Sequence, residues 1–366
     1  MEQTVINGAA PYLSEEITIN ILKRLPVKSL IRLQCVCKHW ENLFKTPFFI
    51  AAHLCQSHQN PSFIFSHDYL LNNLPLRLLD YEMHLRDVQK APQFDFLASA
   101  SCVGSSNGLL CFVIRVGSRF PISLLVWNPV TGDGREVPIS RNVDMDEDDY
   151  VLGFGFSPLD NDYKIMAIYS KYGFVSGVDI YSLSRGSWKE IESRNLENVS
   201  CYWRTIYSNN GAIFTYGIKN IEDEEVEMIV SFDMGKEVFT LIMISWPPLW
   251  RNLNFSLAVY EDKPAIITTS VVRGSSSNVD LWVMEEDTSS WSWIKKFTSG
   301  PHPWVFKPGI IWRNEIVVSG FEIGGKTEKH EQCLCLFNIT TNELKTLEIR
   351  HCFRDFVNYV ESFVLI

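Results

Sequence analysis

The chain has 366 residues, of which 46% are hydrophobic and 21% charged, as is ordinary for a globular protein, while the aromatic share of 13% is high and favours β structure. The formal net charge of −10 is uneven, because residues 11–54 hold six basic and three acidic residues and residues 55–366 sum to −12. An acidic body of this kind repels phosphates, which argues against nucleic acid as a partner.

Residues 1–10 show neither the positive segment nor the apolar core of a signal peptide, so we expect a flexible N-terminus without a targeting signal. Apolar runs such as Leu109–Ile114 are too short to span a bilayer, so no membrane partner is expected. The nine cysteines lack paired spacing and favour reduced thiols in the cytoplasm or nucleus.

A cluster of short helices is predicted next. Ser14 can cap a first helix, with two glutamates in the first turn where the helix dipole favours negative charge. Apolar residues then recur at helical spacing: Ile17, Ile21, Leu22 and Leu25. Pro26 ends this helix, and the apolar pattern continues to about Thr46-Pro47. About forty residues bury too little surface for independent stability, so the cluster is expected to bury apolar surface against a partner.

The segment RLPVKSL at Arg24–Leu30, followed by CVCKHW at Cys35–Trp40, resembles the F-box of plant proteins. The resemblance implies a three-helix F-box over residues 11–54 that binds the Skp-type adaptor of an SCF ubiquitin ligase and, through it, the cullin and RING subunits. Ser14 stands where the family usually has proline, and both residues suit a helix start. The alternative is a stripe that only forms the core of a helical hairpin. The family's adaptor contacts would fall on Leu13, Ile17, Leu22, Leu25, Pro26, Leu30, Val36, Cys37 and Trp40.

Behind the helices the chain repeats itself with a period of about fifty residues. Apolar strands ending in an aromatic residue recur at spacings of 54, 51, 50 and 55, at Trp127, Tyr181, Phe232, Trp282 and Phe337. Turn residues recur at spacings of 54, 49, 52 and 52, at Asn107, Asn161, Asn210, Asp262 and Asn314. Two series with one shared period predict a four-stranded unit repeated at least five times, which is typical of a β-propeller.

Ring closure decides the number of blades. Residues 62–84 supply further strand-like sequence, and Phe363–Leu365 is expected to pair with that region. A linear stack of such units would leave sheet edges unpaired, so closure into a ring is favoured. We therefore predict a mainly β protein with a six-bladed propeller over residues 55–366, and seven blades as the alternative.

The repeats resemble the F-box-associated, kelch-like domain of plant F-box proteins. The matching motifs are Trp127–Gly132, Gly153–Phe156, Asp162–Lys164 and Tyr181–Leu183. The resemblance implies a non-catalytic substrate-recognition subunit, whose propeller holds a target protein for ubiquitination and degradation. The chain is also similar to the S-locus subgroup, whose members recognise secreted ribonucleases in pollen, and no motif separates that subgroup from its relatives.

Two acidic runs between predicted strands are candidate target-binding loops: Asp144, Asp146, Glu147, Asp148 and Asp149, then Glu222 and Asp223. They are interpreted either as solvated loops or as loops that attract a basic target. Calcium binding is less favoured, because the spacing of a calcium loop is missing. Trp250 and Trp304 are candidate target anchors, or else packing residues between blades.

Other motifs are interpreted as structural. Gly153–Phe156 lacks the third glycine and the following helix of a dinucleotide site, so its glycines are expected to admit bulky neighbours within a strand. The Cys35/Cys37 and Cys333/Cys335 pairs lack partners at zinc spacing and are interpreted as buried small hydrophobes. No metal, cofactor or catalytic site is expected. The other function classes are a scaffold acting outside the ligase and a propeller enzyme, which would need acids or metal ligands around the channel.

Overall fold

The computed structural model describes residues 13–67, 76–88, 101–116, 120–140, 149–208, 211–222, 224–244, 254–272, 276–287, 290–322, 332–351 and 353–366. In these ranges, helices are confined to the start of the chain apart from a 3-10 turn at Arg194–Leu196, and strands make up the rest of the regular structure. The predicted mainly β class is confirmed.

The helical unit has four helices where three were expected. They are α1 (Glu15–Leu22), α2 (Val27–Leu33), α3 (Lys38–Phe44) and α4 (Pro47–Ser57). Ser14 caps α1 as predicted, because its Oγ accepts a hydrogen bond from the Ile17 N–H at 3.3 Å. Thr46 caps α4 in the same way, accepting from the Phe49 N–H at 3.2 Å. Pro47 therefore begins a helix, where its fixed φ suits the first position, and does not end the cluster.

The strands form six antiparallel sheets of four strands each within the described residues. Three strands of the closing blade come first in the sequence: β1 (Ser62–His67), β2 (Arg77–Leu79) and β3 (Leu85–Asp87). The first blade comprises β4 (Ser101–Ser106), β5 (Leu109–Val116), β6 (Phe120–Trp127) and β7 (Gly134–Pro138). The second blade comprises β8 (Asp149–Ser157), β9 (Asp162–Lys171), β10 (Phe174–Ser182) and β11 (Ser187–Ile191).

The remaining blades repeat the pattern. The third comprises β12 (Val199–Ser208), β13 (Ala212–Ile221), β14 (Glu224–Asp233) and β15 (Val238–Met243). The fourth comprises β16 (Asn254–Tyr260), β17 (Lys263–Val272), β18 (Ser276–Asp287) and β19 (Ser290–Thr298). The fifth comprises β20 (Trp304–Trp312), β21 (Glu315–Glu322), β22 (Gln332–Asn338) and β23 (Leu344–His351), and β24 (Phe353–Tyr359) completes the closing blade.

The ring closes by pairing the two ends of the propeller sequence. The closing blade has the order β24-β1-β2-β3, and Phe63 lies opposite Asn358 in its antiparallel ladder. The innermost strands contact one another around the ring in the order β4, β8, β12, β16, β20 and β24. Six blades are thus confirmed. The expected closing strand was wrong, because residues 353–359 pair with β1 and Phe363–Leu365 lies outside any strand.

The two repeat series have clear structural causes. Asn107, Asn161 and Asp262 adopt positive φ values of 50°, 51° and 59° in the turn after the first strand of a blade, and Asn and Asp tolerate this conformation. In the fifth blade Arg313, with φ of 59°, takes this place instead of Asn314. Asn210 lies outside the described residues.

The aromatic series lies in the third strand of the first five blades, at most one residue from the strand end except for Trp282, which lies five residues before the end of β18. Trp127, Tyr181, Phe232 and Phe337 are buried, whereas Trp282 is half-buried with Lys295 Nζ 4.4 Å from its ring centre. The interpretation of Gly153 as a strand glycine that admits a bulky neighbour is confirmed, because a Cβ there would lie 2.9 Å from the Ile213 side chain.

The strand order gives the propeller two faces. Turns from the first to the second strand and from the third to the fourth strand of each blade lie on one face, where Tyr359 at the end of β24 pairs with Ser62 at the start of β1. The helices precede β1 and contact Val130, in the β6–β7 turn of this face. We call it the box face. The opposite surface, called the distal face, carries the turns between second and third strands and the connections between blades.

Candidate binding surfaces

The four helices enclose a small apolar core. Its fully buried members are Leu22, Val27, Leu30, Leu43, Phe44, Phe49 and, from beyond β24, Phe363. Leu22 and Leu30 are 3% and 0% exposed. These two predicted adaptor contacts therefore have almost no surface to offer a partner in the chain as it stands, and they hold the helices together.

Helix α1 has two apolar faces on opposite sides. Ile19 and Leu22 point into the helical core. Ile17 and Ile21, four residues apart within α1, are each 49% exposed, and Leu13, just before the N-cap Ser14, is 56% exposed. Residues four apart lie on the same side of a helix. The exposed row is therefore apolar surface that this chain leaves uncovered.

The rest of the helical unit exposes further apolar side chains. Val36 is 61% exposed and Phe48, in the first turn of α4, is 67% exposed. Pro26 and Cys37 are also exposed, whereas Leu25 and Trp40 are half-buried against the helical core. Of the nine residues predicted from the resemblance, five are exposed, two half-buried and two buried.

Two exposed apolar residues of the helical unit, Ile21 and Phe48, were not among the predicted contacts. Ile21 was in the predicted stripe, but helical spacing alone did not separate the two faces of α1. Phe48 follows Pro47, which was expected to end the helices. A proline in the first turn after a capping threonine is the signal that would have found α4.

The cysteine pairs are only partly as expected. Cys35 and Cys37 are exposed, which contradicts their interpretation as buried hydrophobes. They lie on either side of Val36, in the segment that joins α2 to α3. Cys335 is buried, and burial raises the pKa of its thiol to about 12, whereas Cys333 is half-buried. The part of the chain that the structure describes holds no group of three or more His, Cys, Asp or Glu side chains able to bind a metal.

A buried histidine ties α4 to the loop after α1. His53 is 3% exposed, and its Nε2 lies 3.1 Å from the Leu25 carbonyl oxygen. Since a carbonyl can only accept, Nε2 carries the proton, and Nδ1 can accept from the Ser57 hydroxyl at 3.4 Å. Burial lowers the pKa of His53, and the hydrogen bond to Leu25 opposes this shift. His53 is therefore a neutral structural link.

The predicted target-binding residues map to the distal face where they are described. Glu222 is exposed with a φ of 50° in the β13–β14 turn, Trp304 is half-buried at the start of β20, and Asp149 begins β8. Six of the predicted residues lie outside the described residues: Asp144, Asp146, Glu147, Asp148, Asp223 and Trp250. Strand order thus brings Glu222 and Trp304 to one face, although they belong to different blades.

The distal face also carries exposed apolar side chains that were not predicted. Tyr172, in the β9–β10 turn, is 88% exposed, and Lys171 Nζ lies 5.6 Å from the centre of its ring. Ile221 and Phe321, at the ends of β13 and β21, are 42% and 46% exposed. Tyr172 has a φ of 54°, unusual for an aromatic residue. No periodic pattern marks such a turn residue, so its exposure was not predictable from the sequence.

Residues 54–364 match the family described as the F-box associated beta propeller domain, and residues 11–50 match the F-box domain. The chain belongs to this family of F-box proteins. An Arabidopsis thaliana F-box protein, At3g07870, is 27% identical over 348 residues, covering 84% of this chain and 79% of that one. A second F-box protein of that plant, At4g38870, is 26% identical over 327 residues, covering 82% and 71%.

Solved structures similar to this F-box protein are remote. The β-propeller domain of the trilobed protease from Pyrococcus furiosus has 13% identity and a TM-score of 0.40, covering 68% of this chain and 71% of that one. The longest helix of the F-box protein among the described residues has 11 residues, and none there is long and apolar enough to cross a membrane.

The motifs shared with plant F-box proteins have structural roles in the propeller. Asp162 accepts hydrogen bonds from the Ser182 Oγ at 2.5 Å and the Ser184 N–H at 2.9 Å, which fixes the β10–β11 turn. Lys164, with a side chain 5% exposed, pairs with Asp160 and Glu237 and donates to the Met234 carbonyl at 2.8 Å. Lys164 therefore clamps the second blade to the third.

F-box domains in general bind Skp-type adaptors, and a propeller behind an F-box is the arrangement of a substrate-recognition protein. The two sequence relatives described above are F-box proteins.

Proposed function

We propose that this F-box protein is the substrate receptor of an SCF ubiquitin ligase. Its helical unit would bind a Skp-type adaptor, and through it the cullin and RING subunits, while the propeller would hold a target protein. The observation that carries this proposal is the exposed apolar row formed by Leu13, just before α1, and by Ile17 and Ile21 on α1, whose other face already packs a core.

The energetics favour a partner for this surface. Burying the exposed half of an isoleucine or leucine side chain contributes on the order of 1 kcal/mol. The three residues of the row, together with Val36 and Phe48, therefore offer a useful part of the binding free energy. The basic charge of the helical unit complements an acidic adaptor and would raise the association rate.

Target binding is assigned to the distal face. An adaptor bound to the helices would lie on the side of the box face, which leaves the distal face accessible. Tyr172 and Ile221 supply exposed apolar contacts there, and Glu222 supplies negative charge suited to a basic target. Holding a target in the assembly raises its effective concentration near the ubiquitin-charged enzyme, so the chain needs no catalytic group of its own.

The adaptor assignment is tested by putting charge into the exposed row. The double variant Ile17→Glu/Ile21→Glu is expected to lose at least about 100-fold in affinity for a purified Skp-type adaptor, as charge in a desolvated interface does. Val238→Glu is the control, because Val238 is 53% exposed on the third blade. Equal affinity of the double variant and the control in titration calorimetry would refute the assignment.

The target assignment is tested by comparative affinity capture from a plant extract in which cullin activity is blocked. Proteins captured by the parent chain and by Ile17→Glu/Ile21→Glu, but lost with Tyr172→Ala/Ile221→Ala, are the expected targets. A target set that the distal-face variant captures undiminished would refute the assignment of this face. Recovery of cullin with the parent chain distinguishes the receptor from a scaffold acting outside the ligase.

We also propose the cytoplasm or nucleus as the working compartment. The eight cysteines among the described residues are free, which suits a reducing compartment. Imaging of a fluorescent fusion would test this, and accumulation in the secretory pathway would contradict it.

A further inference from the structure

Residues 360–366, which follow β24, form a segment that contacts both the helices and the propeller. We call it the connector. It has no regular secondary structure, yet Val360, Ser362 and Phe363 are 8%, 0% and 4% exposed. Burial of an irregular segment requires its backbone polar groups to find partners. Those partners show what the connector does.

The propeller holds the connector through one amide side chain. Asn128, fully buried in the β6–β7 turn, donates through Nδ2 to the carbonyl oxygens of Ser362 and Val364, both at 3.0 Å. Its Oδ1 accepts from the N–H groups of Val130 and Thr131 at 3.0 and 3.4 Å. One residue therefore shapes the turn and anchors the connector on it.

A second anchor lies at the β4–β5 turn. The Ser362 hydroxyl donates to the Asn107 carbonyl oxygen at 2.6 Å. Gly108, with a φ of 84°, leaves the space that this contact needs, because a Cβ there would clash with Ser362 and lie 2.8 Å from the Val360 carbonyl oxygen. Val364 and Ile366 pack on the apolar cluster between the first and second blades. The connector is thus fixed on the propeller at several points.

From this fixed position the connector reaches into the helical core. The Phe363 ring lies 6.0 Å from Phe44, 6.4 Å from Phe49 and 5.5 Å from His53, measured between ring centres. Val130, beside the anchoring Asn128, packs against the same helical cluster. The propeller therefore supplies part of the core of the F-box unit.

The polypeptide makes a separate link between the two parts. Residues 58–61 join α4 to β1, and the Pro61 carbonyl oxygen accepts from Trp312 Nε1 at 2.9 Å. His58 hydrogen-bonds Asn107, in the turn that also binds Ser362. A body held only by a short covalent link can swivel about it. A body held also by a buried aromatic contact cannot.

We propose that the connector is a positioning element that locks the F-box unit onto the propeller in one orientation and, given the proposed ligase function, limits which lysines receive ubiquitin. Phe363 is the positioning residue, and Asn128 and Ser362 hold it in place. Because the two parts would be held in one orientation, only part of a bound target protein would come near the ubiquitin-charged enzyme.

The test compares Phe363→Ala with Leu365→Ala, which alters an exposed neighbour in the same segment, and with Phe363→Leu, which keeps apolar bulk. Each full chain is studied bound to a Skp-type adaptor by small-angle scattering and hydrogen exchange. Phe363→Ala is expected to broaden the distance distribution and to speed exchange in α4 about tenfold or more. Its adaptor affinity should stay within about twofold of the parent value, which shows that the F-box unit remains folded.

The consequence for transfer is read from autoubiquitination in the reconstituted ligase, with the modified lysines mapped by mass spectrometry. The parent, Phe363→Leu and Leu365→Ala should give one restricted set of lysines, and Phe363→Ala a wider set. Unchanged scattering and an unchanged lysine set in Phe363→Ala would overturn the proposal. If the parent binds no adaptor, the proposed function fails, while scattering of the free chain still decides the role of the connector.

Discussion

The helical unit and the propeller treat their apolar side chains in opposite ways. In the propeller, four of the five repeating aromatic residues are buried, and the ring pairs its first strands with its last. In the helical unit, α1 buries one apolar face and exposes the other. Both regions are rich in apolar residues, so composition alone does not distinguish them. The difference is whether the chain itself can complete the packing.

Closure explains this contrast. A ring of blades gives every blade two neighbours, so each apolar strand face finds a partner within the chain. Four helices of seven to eleven residues cannot surround one another, and part of their core comes from Phe363 of the connector. Substitutions with the same chemistry in the two regions should therefore have different effects.

The largest effect is expected in the propeller core. Phe337 is fully buried against Phe306 at 5.3 Å and Phe297 at 6.3 Å between ring centres. Phe337→Ala should lower the free energy of unfolding by about 3–5 kcal/mol through lost burial and a cavity. Adaptor affinity of the protein that remains folded should be unchanged. Denaturant unfolding followed by tryptophan fluorescence measures the first quantity, and a loss below about 1 kcal/mol would contradict the assigned packing.

A somewhat smaller effect is expected at the clamp between the second and third blades. Lys164→Met keeps the length of the side chain but leaves Asp160 and Glu237 without their shared cation. We expect a loss of about 2–3 kcal/mol, less than for a fully buried pair because both carboxylates are partly exposed. Lys236→Met is the control, since Lys236 is 75% exposed beside Asp233 and should cost under about 0.5 kcal/mol. Similar unfolding curves for the two variants would show that Lys164 is no clamp.

Phe48→Ala is the counterpart of Phe337→Ala in the helical unit. Phe48 is 67% exposed, so its removal should change the free energy of unfolding by no more than about 0.5 kcal/mol. If Phe48 belongs to the adaptor surface, affinity should fall about tenfold, a loss of roughly 1.4 kcal/mol. Surface plasmon resonance with a purified adaptor measures it. Loss of stability without loss of affinity would reverse the contrast between the two regions.

The smallest effect is a pH dependence of the helical unit. Burial lowers the pKa of His53 below its ordinary 6.5. Below about pH 6.5 the unfolded chain binds a proton that folded His53 refuses, so stability falls as the solution is acidified and is unaffected at higher pH. Hydrogen exchange in α4 should therefore quicken between pH 7.5 and 5.5, after correction for the intrinsic rate, and His53→Gln should reduce that change.

His39→Gln is the control for the pH experiment, because His39 is exposed and lies 4.0 Å from Glu15 at the surface. His58, whose pKa burial also lowers, should act in the same direction as His53. An α4 exchange rate that is equally sensitive to acid in His53→Gln and in the parent would contradict the role of His53.

The sequence was informative wherever one residue type had one structural reason to recur. The turn after the first strand of a blade needs a residue with positive φ, and this position is held by Asn107, Asn161 and Asp262. The spacing of these residues therefore predicted the length of one blade. Ser14 predicted the start of α1, because its hydroxyl can accept a hydrogen bond from the first turn of a helix. Such local requirements are visible in a single sequence because they depend on near neighbours only.

Features that depend on contacts between residues far apart in the sequence could not be predicted in this way. Phe363–Leu365 has the composition of a strand, and only the position of β24 frees it to meet Phe44 and Phe49. Cys35 and Cys37 were expected to be buried because of their residue type, yet they lie on an uncovered surface. Partner surfaces resemble cores in composition, so exposure had to come from the three-dimensional structure.

In the closing blade, a strand translated early pairs with a strand translated much later. Phe63 pairs with Asn358, which the ribosome adds 295 residues later. At about 5–20 residues per second this delay is roughly 15–60 s. Until then β1–β3 lack their inner strand, and unpaired strand edges invite aggregation. The connector follows β24, so the nascent chain also makes its helices long before Phe363 can reach them, and both late events depend on residues 353–366.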